Sequence, residues 1–366
     1  MNKKDLGSRR IQCVGRGSYI VSLPKDWVLE SKLAKGSEIT FNVLDDGSAL
    51  LVPRKFDDSV SLNKANTKEY CVRVRYEDDT SSLCRKITSL YAVGADMIRL
   101  KFENEECFKK HRKSVNELTK VELLGAEIID ECESEIIIQI LVNHPNLSVE
   151  AAIKRMAILA LEANKEAILS LKNENVNFIQ NITNFNSDIK RLDLYVIRQL
   201  KYHLERNSYK DLGFKSKKEF LGYRIVINDI RNISNNALNV AKNVASVMKF
   251  DKKGSSYSEI DIDKEIYSQI TSFCFSMHKM FDLTLKAMFI GDYREADKIF
   301  SQLDECAASE RKIALALFGK RMDPKVTLVL GLMLDASRRI MEYCQNIAEI
   351  TLNRTVETTL PATSMN

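Results

Sequence analysis

The pattern of apolar and polar positions changes period three times along the chain. In residues 1–56, short apolar runs are punctuated by glycine. Ile11-Gln12-Cys13-Val14 and Tyr19-Ile20-Val21-Ser22-Leu23 read as strands on either side of a Gly15-Arg16-Gly17-Ser18 turn. Pro24 suits the first turn of a helix over residues 24–33, carrying Trp27 and Val28 and stopping near Gly36. Residues 38–44 and 49–52 read as strands around Asp45-Asp46-Gly47-Ser48, a hairpin signal. A β–turn–β–helix–β–turn–β unit this small cannot bury a good core alone, so dimerisation is expected.

Residues 57–68 are polar and read as a linker. From 69 to 145 the period alternates between two and 3.6 residues. Strands are expected at 70–76 and 97–102, helices at 80–93 and 105–118, and a closing hairpin from 127–130 and 136–142. The β-α-β-α-β-β order suggests a small α/β sandwich. Residues 146–352 read as nearly continuous helix, with Ile153, Met156, Ala157, Ala160, Leu161 and Asn164 at three- and four-residue steps. Residues 353–366 are polar, include one proline, and read as a flexible tail.

The helical part repeats. Residues 225–241 align with 332–348 at an offset of 107, and 156–183 with 273–300 at an offset of 117. About ten extra residues therefore fall in 207–220. Each copy reads as three antiparallel helices, over about 146–250 and 259–352, so the region is an all-α domain of two three-helix repeats.

Composition narrows this picture. The 366 residues include 13 Gly and 5 Pro, with 45% hydrophobic positions, a globular and helix-leaning make-up that excludes collagen-like or largely disordered chains. The longest apolar runs, at 136–142 and 326–334, fall short of the roughly 18–20 residues a membrane span requires. No apolar run follows the N-terminus, so no signal peptide is expected and a cytoplasmic location is. None of the eight cysteines forms a CxxC pair, which fits isolated thiols in a reducing compartment. The net charge is +5. Lys3, Lys4, Arg9, Arg10 and Arg16 against Asp5 give +4 in the first twenty residues alone, a local patch suited to a polyanion. The middle segment is net acidic, which disfavours nucleic-acid contact there.

Two resemblances follow from these residues. Arg9-Arg10-Ile11-Gln12, Gly15 to Trp27, Lys35-Gly36-Ser37-Glu38-Ile39 and Asp46-Gly47-Ser48 before Leu50-Leu51-Val52-Pro53 resemble the swapped-hairpin β domain of the AbrB/SpoVT transition-state regulators. Gly291-Asp292-Tyr293-Arg294-Glu295-Ala296 and Asn346-Ile347-Ala348-Glu349 resemble helix boundaries of the PhoU phosphate-uptake regulators. The whole order resembles archaeal phosphate-uptake regulators. The resemblance implies a homodimer or higher homo-oligomer whose head binds operator DNA and whose helices relay phosphate status. DNA contacts would come from Lys3, Lys4, Arg9, Arg10, Arg16 and Lys25: Arg16 in a deformable glycine-flanked turn, Lys25 at a helix start. The other reading is a signalling adaptor for a phosphate transporter or sensor kinase, its head serving only to dimerise.

PhoU proteins commonly hold metal through acidic pairs four residues apart on two helices per repeat, a spacing that stacks carboxylates on one helical face. Here those positions read Asn186 and Lys190 with Arg231 and Asn235, and Leu303 and Ala307 with Arg338 and Glu342. Only Glu342 keeps a carboxylate, so no metal or other cofactor is expected; Asp188, Asp304 and Glu305 are residual candidates nearby. Arg231 and Arg338, if buried, would pair with carboxylates on neighbouring helices or face an anion, and pairing is the expectation. No dinucleotide, P-loop, nucleophile-elbow or zincin motif occurs and the four histidines share no ligand spacing, so an enzyme is not expected.

Overall fold

A computed structural model describes residues 7–15, 17–43, 49–53, 68–141, 147–172, 177–248 and 262–359. The expected linker, at 57–68, lies outside the described residues except for Lys68. Two compact units are present, Met1–Thr67 and Lys68–Asn366.

The first unit holds the antiparallel pair β1 (Gln12–Val14) and β2 (Ser18–Ile20), the helix α1 (Lys25–Glu30), and the antiparallel pair β3 (Ile39–Val43) and β4 (Ala49–Pro53). Gly15 and Gly17 have φ of 68° and 146° at the first hairpin turn, a backbone that side chains with a Cβ rarely adopt.

The second unit begins with β5 (Glu69–Val74), α2 (Thr80–Ala92), β6 (Met97–Phe102), α3 (Glu105–Val121), β7 (Ala126–Cys132) and β8 (Glu135–Ile140). The sheet order is β5-β6-β8-β7, with β5 parallel to β6 and the other pairs antiparallel. Ile98, Leu100, Ile136, Ile138 and Ile140 pack against Leu83, Ile87 and Tyr91 of α2 and Val115 of α3. Asp79 and Asn104 accept N–H bonds from the first turns of α2 and α3, which explains where those helices start.

Six helices complete this unit: α4 (Val149–Leu169), α5 (Phe178–Glu205), α6 (Glu219–Val247), α7 (Lys264–Ile290), α8 (Tyr293–Gly319) and α9 (Pro324–Thr359). They form two sets of three in the same order. The pairs α4–α6 and α7–α9 pack together and meet across α6 and α9, while α5 and α8 lie against their own sets. The extra residues of the first set contain a 3-10 turn, Tyr209–Leu212. At the α7–α8 corner, Gly291 with φ 74° lets its own N–H and that of Asp292 close on the Ala287 carbonyl. The Asp292 side chain then caps α8. At Gly222 of α6 a Cβ would lie 2.6 Å from Cγ2 of Ile350, so only glycine permits the close approach of α6 to α9.

One expectation fails. The tail does not begin at 353: α9 runs to Thr359. Thr351 and Thr355 are buried, Arg354 pairs with Glu219 at 2.5 Å, and its guanidinium donates to the Met288 carbonyl at 3.0 Å. Polar composition misled because threonine hydroxyls bond back to their own helix (Thr351 to Ile347) and so enter the core satisfied.

Arg198 of α5, 1% exposed, fastens the helices to the α/β layer. Its guanidinium donates to the carbonyls of Tyr91 (3.0 Å) and Ala95 (2.6 Å) and meets Asp96 at 3.2 Å. It also stands over the Tyr91 ring, 5.3 Å from the centroid. Removing one partner of a buried ion pair leaves the other uncompensated. Arg198→Ala is therefore expected to lower unfolding free energy by about 3–5 kcal/mol in urea titration of the full chain. A loss below about 1 kcal/mol would show that the pin is not structural.

Candidate functional site

Three of the six expected DNA-contact residues, Arg9, Arg10 and Lys25, fall in the described part of the first unit. Arg9 and Arg10 enter β1, and Lys25 is the first residue of α1; all three are exposed. The Arg9 guanidinium donates to the adjacent Ser8 carbonyl, at 2.9 Å. Lys3, Lys4 and Arg16 lie outside the described residues.

The same unit has a second property. None of its described side chains is buried. Strand alternation puts Ile39, Phe41, Val43, Ala49, Leu51 and Pro53 on one face of the β3–β4 hairpin, an entirely apolar surface. Phe41 is 61% and Val43 77% exposed. Ile11, Tyr19 and Val21 do the same on one face of β1–β2.

In the helical region, several of the positions that hold metal in the PhoU pattern make other bonds. The Asn186 amide donates to the Asn235 carboxamide at 3.2 Å, joining α5 to α6 through neutral groups. Lys190 is exposed. Arg231 donates to Asp193 of α5 at 2.9 Å and to Asn228 at 2.8 Å. In the second set, Arg338 donates to Asp335 at 2.7 Å and pairs with Glu342, while Leu303 is buried. Arg231 thus pairs across helices, whereas Arg338 pairs along its own. Asp188, Asp304 and Glu305 are exposed. Glu305 borders an α7–α8 groove of about 420 Å³ with Gln269, Ser272 and Cys306. Among the described residues, no three His, Cys, Asp or Glu side chains converge as metal ligands.

Comparison with known proteins bears on the two regions separately. Residues 14–58 match the family model of antidote-toxin recognition MazE, bacterial antitoxin. The head is a MazE/AbrB-type, antitoxin-like domain. The crystal structure of PhoU from Pseudomonas aeruginosa superposes on 57% of this chain and 95% of its own, with a TM-score of 0.40 and 13% identity. No curated protein matches the chain.

The MazE/AbrB-type head thus carries both the exposed arginines and the uncovered apolar faces, whereas the ionisable groups missed in the sequence lie in the helical region. Asp193 and Asp229 are buried, and burial raises both carboxyls; Arg231 and Arg224 oppose this at Asp193, and the Asn346 amide at Asp229. Their signal was spacing on the inner stripe of α5 and α6, the face also taken by Ile189, Val196, Val226 and Ile233.

A further polar cluster joins α4 to α7. His278 Nε2 donates to the Asn164 carboxamide oxygen at 2.9 Å, and the Cys274 thiol donates to the same oxygen at 3.1 Å. Burial pushes the thiol up to about 12 and the imidazole down to about 4. Both groups are therefore neutral at pH 7. The unfolded imidazole takes up a proton near pH 6.5, whereas the folded one resists until about pH 4. Stability carried by neutral His278 is thus complete above pH 6.5 and falls progressively toward pH 4. The expected loss over that window is about 3 kcal/mol, read as the difference in pH-dependent unfolding between wild type and His278→Gln. Parallel curves would contradict it.

Proposed function

We propose that this protein is a dimeric DNA-binding transcriptional regulator of phosphate uptake. Its head would grip operator DNA and its helical body would relay the signal. The observation that carries the DNA part is the combination in the head of exposed arginines with apolar hairpin faces that bury nothing. Covering those faces with a second copy supplies the missing core and doubles the basic segment along one duplex. Arginine and lysine then contact phosphates, and arginine can also read guanine edges in the major groove. Similarity of residues 14–58 to antitoxin domains supports the same reading.

Phosphate as the theme rests on the Gly291–Ala296 corner and the Asn346–Glu349 helix segment, whose sequences resemble PhoU boundaries. The Asn186–Asn235 hydrogen bond and the Arg231 and Arg338 ion pairs occupy that family's metal positions. We infer a body that acts by binding, without a metal cofactor or chemistry of its own. No described helix is long and apolar enough to cross a membrane; we place the protein in the cytoplasm.

Fluorescence anisotropy of the full chain on genomic fragments from phosphate-transport genes tests the DNA reading. Log affinity is expected to fall linearly with log salt, with a slope near −0.9 per neutralised phosphate. Arg9→Ala with Arg10→Ala is expected to make that slope shallower by about 2 to 4 for a dimer. No binding at 50 mM salt, or a slope unchanged in the double variant, would overturn it and favour the adaptor.

A further inference from the structure

Strand β5 is one edge of the four-stranded sheet; the other edge, β7, is treated differently. A register shift between Ile128 and Asp130 breaks β7, and Glu127, Asp130 and Glu131 crowd it with one sign of charge. Such features keep an edge from pairing. β5 has no bulge, no proline and a balanced pair of charges, Glu69 and Arg73.

The backbone of β5 is oriented for a new partner. The carbonyls of Lys68 and Val74 face β6, accepting from the N–H groups of Asp96 (2.9 Å), Met97 (3.2 Å) and Glu103 (3.1 Å). The direction of hydrogen bonding alternates along a strand. Glu69, Cys71 and Arg73 therefore turn both N–H and C=O toward the open edge. Their side chains share the sheet face away from the helices, since Val72 and Val74 are the buried set. Glu69 pairs with Arg99 of β6, whereas Arg73 makes no hydrogen bond or ion pair among the described residues.

This segment is complementary to itself. Laid antiparallel about a two-fold axis at Cys71, a second β5 sets its Arg73 opposite Glu69, its Glu69 opposite Arg73, and its Cys71 opposite Cys71. Each of these is a position where two residues exchange both backbone bonds. On the other face Tyr70, half-exposed, meets the second copy's Val72, an aromatic–β-branched pair. We infer that β5 is a homotypic pairing edge: two copies of this chain join their sheets through antiparallel β5 strands, with crossed Glu69–Arg73 ion pairs flanking Cys71. This interface is separate from the apolar hairpin faces of the head and stands whether or not the head binds DNA.

Opposite residues at such positions have Cα atoms about 5.5 Å apart, within reach of a short fluorogenic reagent that must capture two thiols. Treating the full chain with it, followed by peptide mapping, is expected to give a Cys71–Cys71 cross-link that disappears in Cys71→Ser. Arg73→Glu or Glu69→Arg puts like charges opposite each other twice and is expected to cut the yield about fivefold. Arg73→Lys keeps it, and the combined Glu69→Arg/Arg73→Glu exchange restores it. Arg73 is exposed and breaks no described pair, so thermal unfolding of Arg73→Glu should not change, whereas Glu69→Arg also gives up the pair with Arg99. Cross-links confined to Cys13 or Cys132, a Cys71 cross-link indifferent to the charge swaps, or no recovery in the double exchange would each overturn the inference.

Discussion

Among its described residues, the MazE/AbrB-type head buries no side chain. Its hairpins and short helix close their local hydrogen bonds, yet Ile11, Tyr19, Phe41 and Val43 all remain more than half exposed. At about 25 cal/mol for each Å² of apolar surface covered, such side chains are the main stabilising reserve of so small a unit, and it is unspent in one chain. The glycines that permit the tight first turn add to the entropy that folding must overcome. On the proposed reading, a partner supplies the cover that the head lacks. The same partnership would set two basic leading edges side by side, which links the hydrophobic constraint to nucleic-acid recognition.

The second unit is organised oppositely, around buried polar groups that are mostly paired. Arg198 is satisfied by two carbonyls and Asp96, so the α/β layer and the helices fold as one unit despite their different periodicities. Asp193 with Arg231, Asp229 with Asn346, and Asn186 with Asn235 link neighbouring helices in directional ways that apolar contacts cannot. A relay needs elements that move together, and these pairs connect α5 to α6 and α6 to α9.

Periodicity was enough to read the order of elements. The α/β order and the six helices follow from apolar spacing, which acts over a few residues; the corner at Gly291-Asp292 comes from the resemblance of its sequence to a PhoU helix boundary. The charge of the head was legible for the same reason: Arg9, Arg10 and Lys25 are exposed whatever the fold. What escaped depends on tertiary neighbours. Arg198 and Asp193 look like surface charges on an amphipathic helix until α2 and α6 bury them. The extension of α9 past 353 was hidden by threonines that satisfy themselves within the helix. The open edge at β5 could not be known until the sheet order left it without a neighbour among the described strands, although its self-complementary Glu69-x-Cys71-x-Arg73 pattern was visible.

The most direct measurement is sedimentation of full-length wild type and Phe41→Asp, each alone and with duplex DNA at 50 mM salt. The charge is placed on the apolar β3–β4 face and leaves the arginines themselves unchanged. The expected result is that the variant loses head-mediated association and DNA binding together while the unfolding transition of the second unit stays in place. A Phe41→Asp protein that binds the duplex as tightly as wild type would contradict the dependence of recognition on a partnered head.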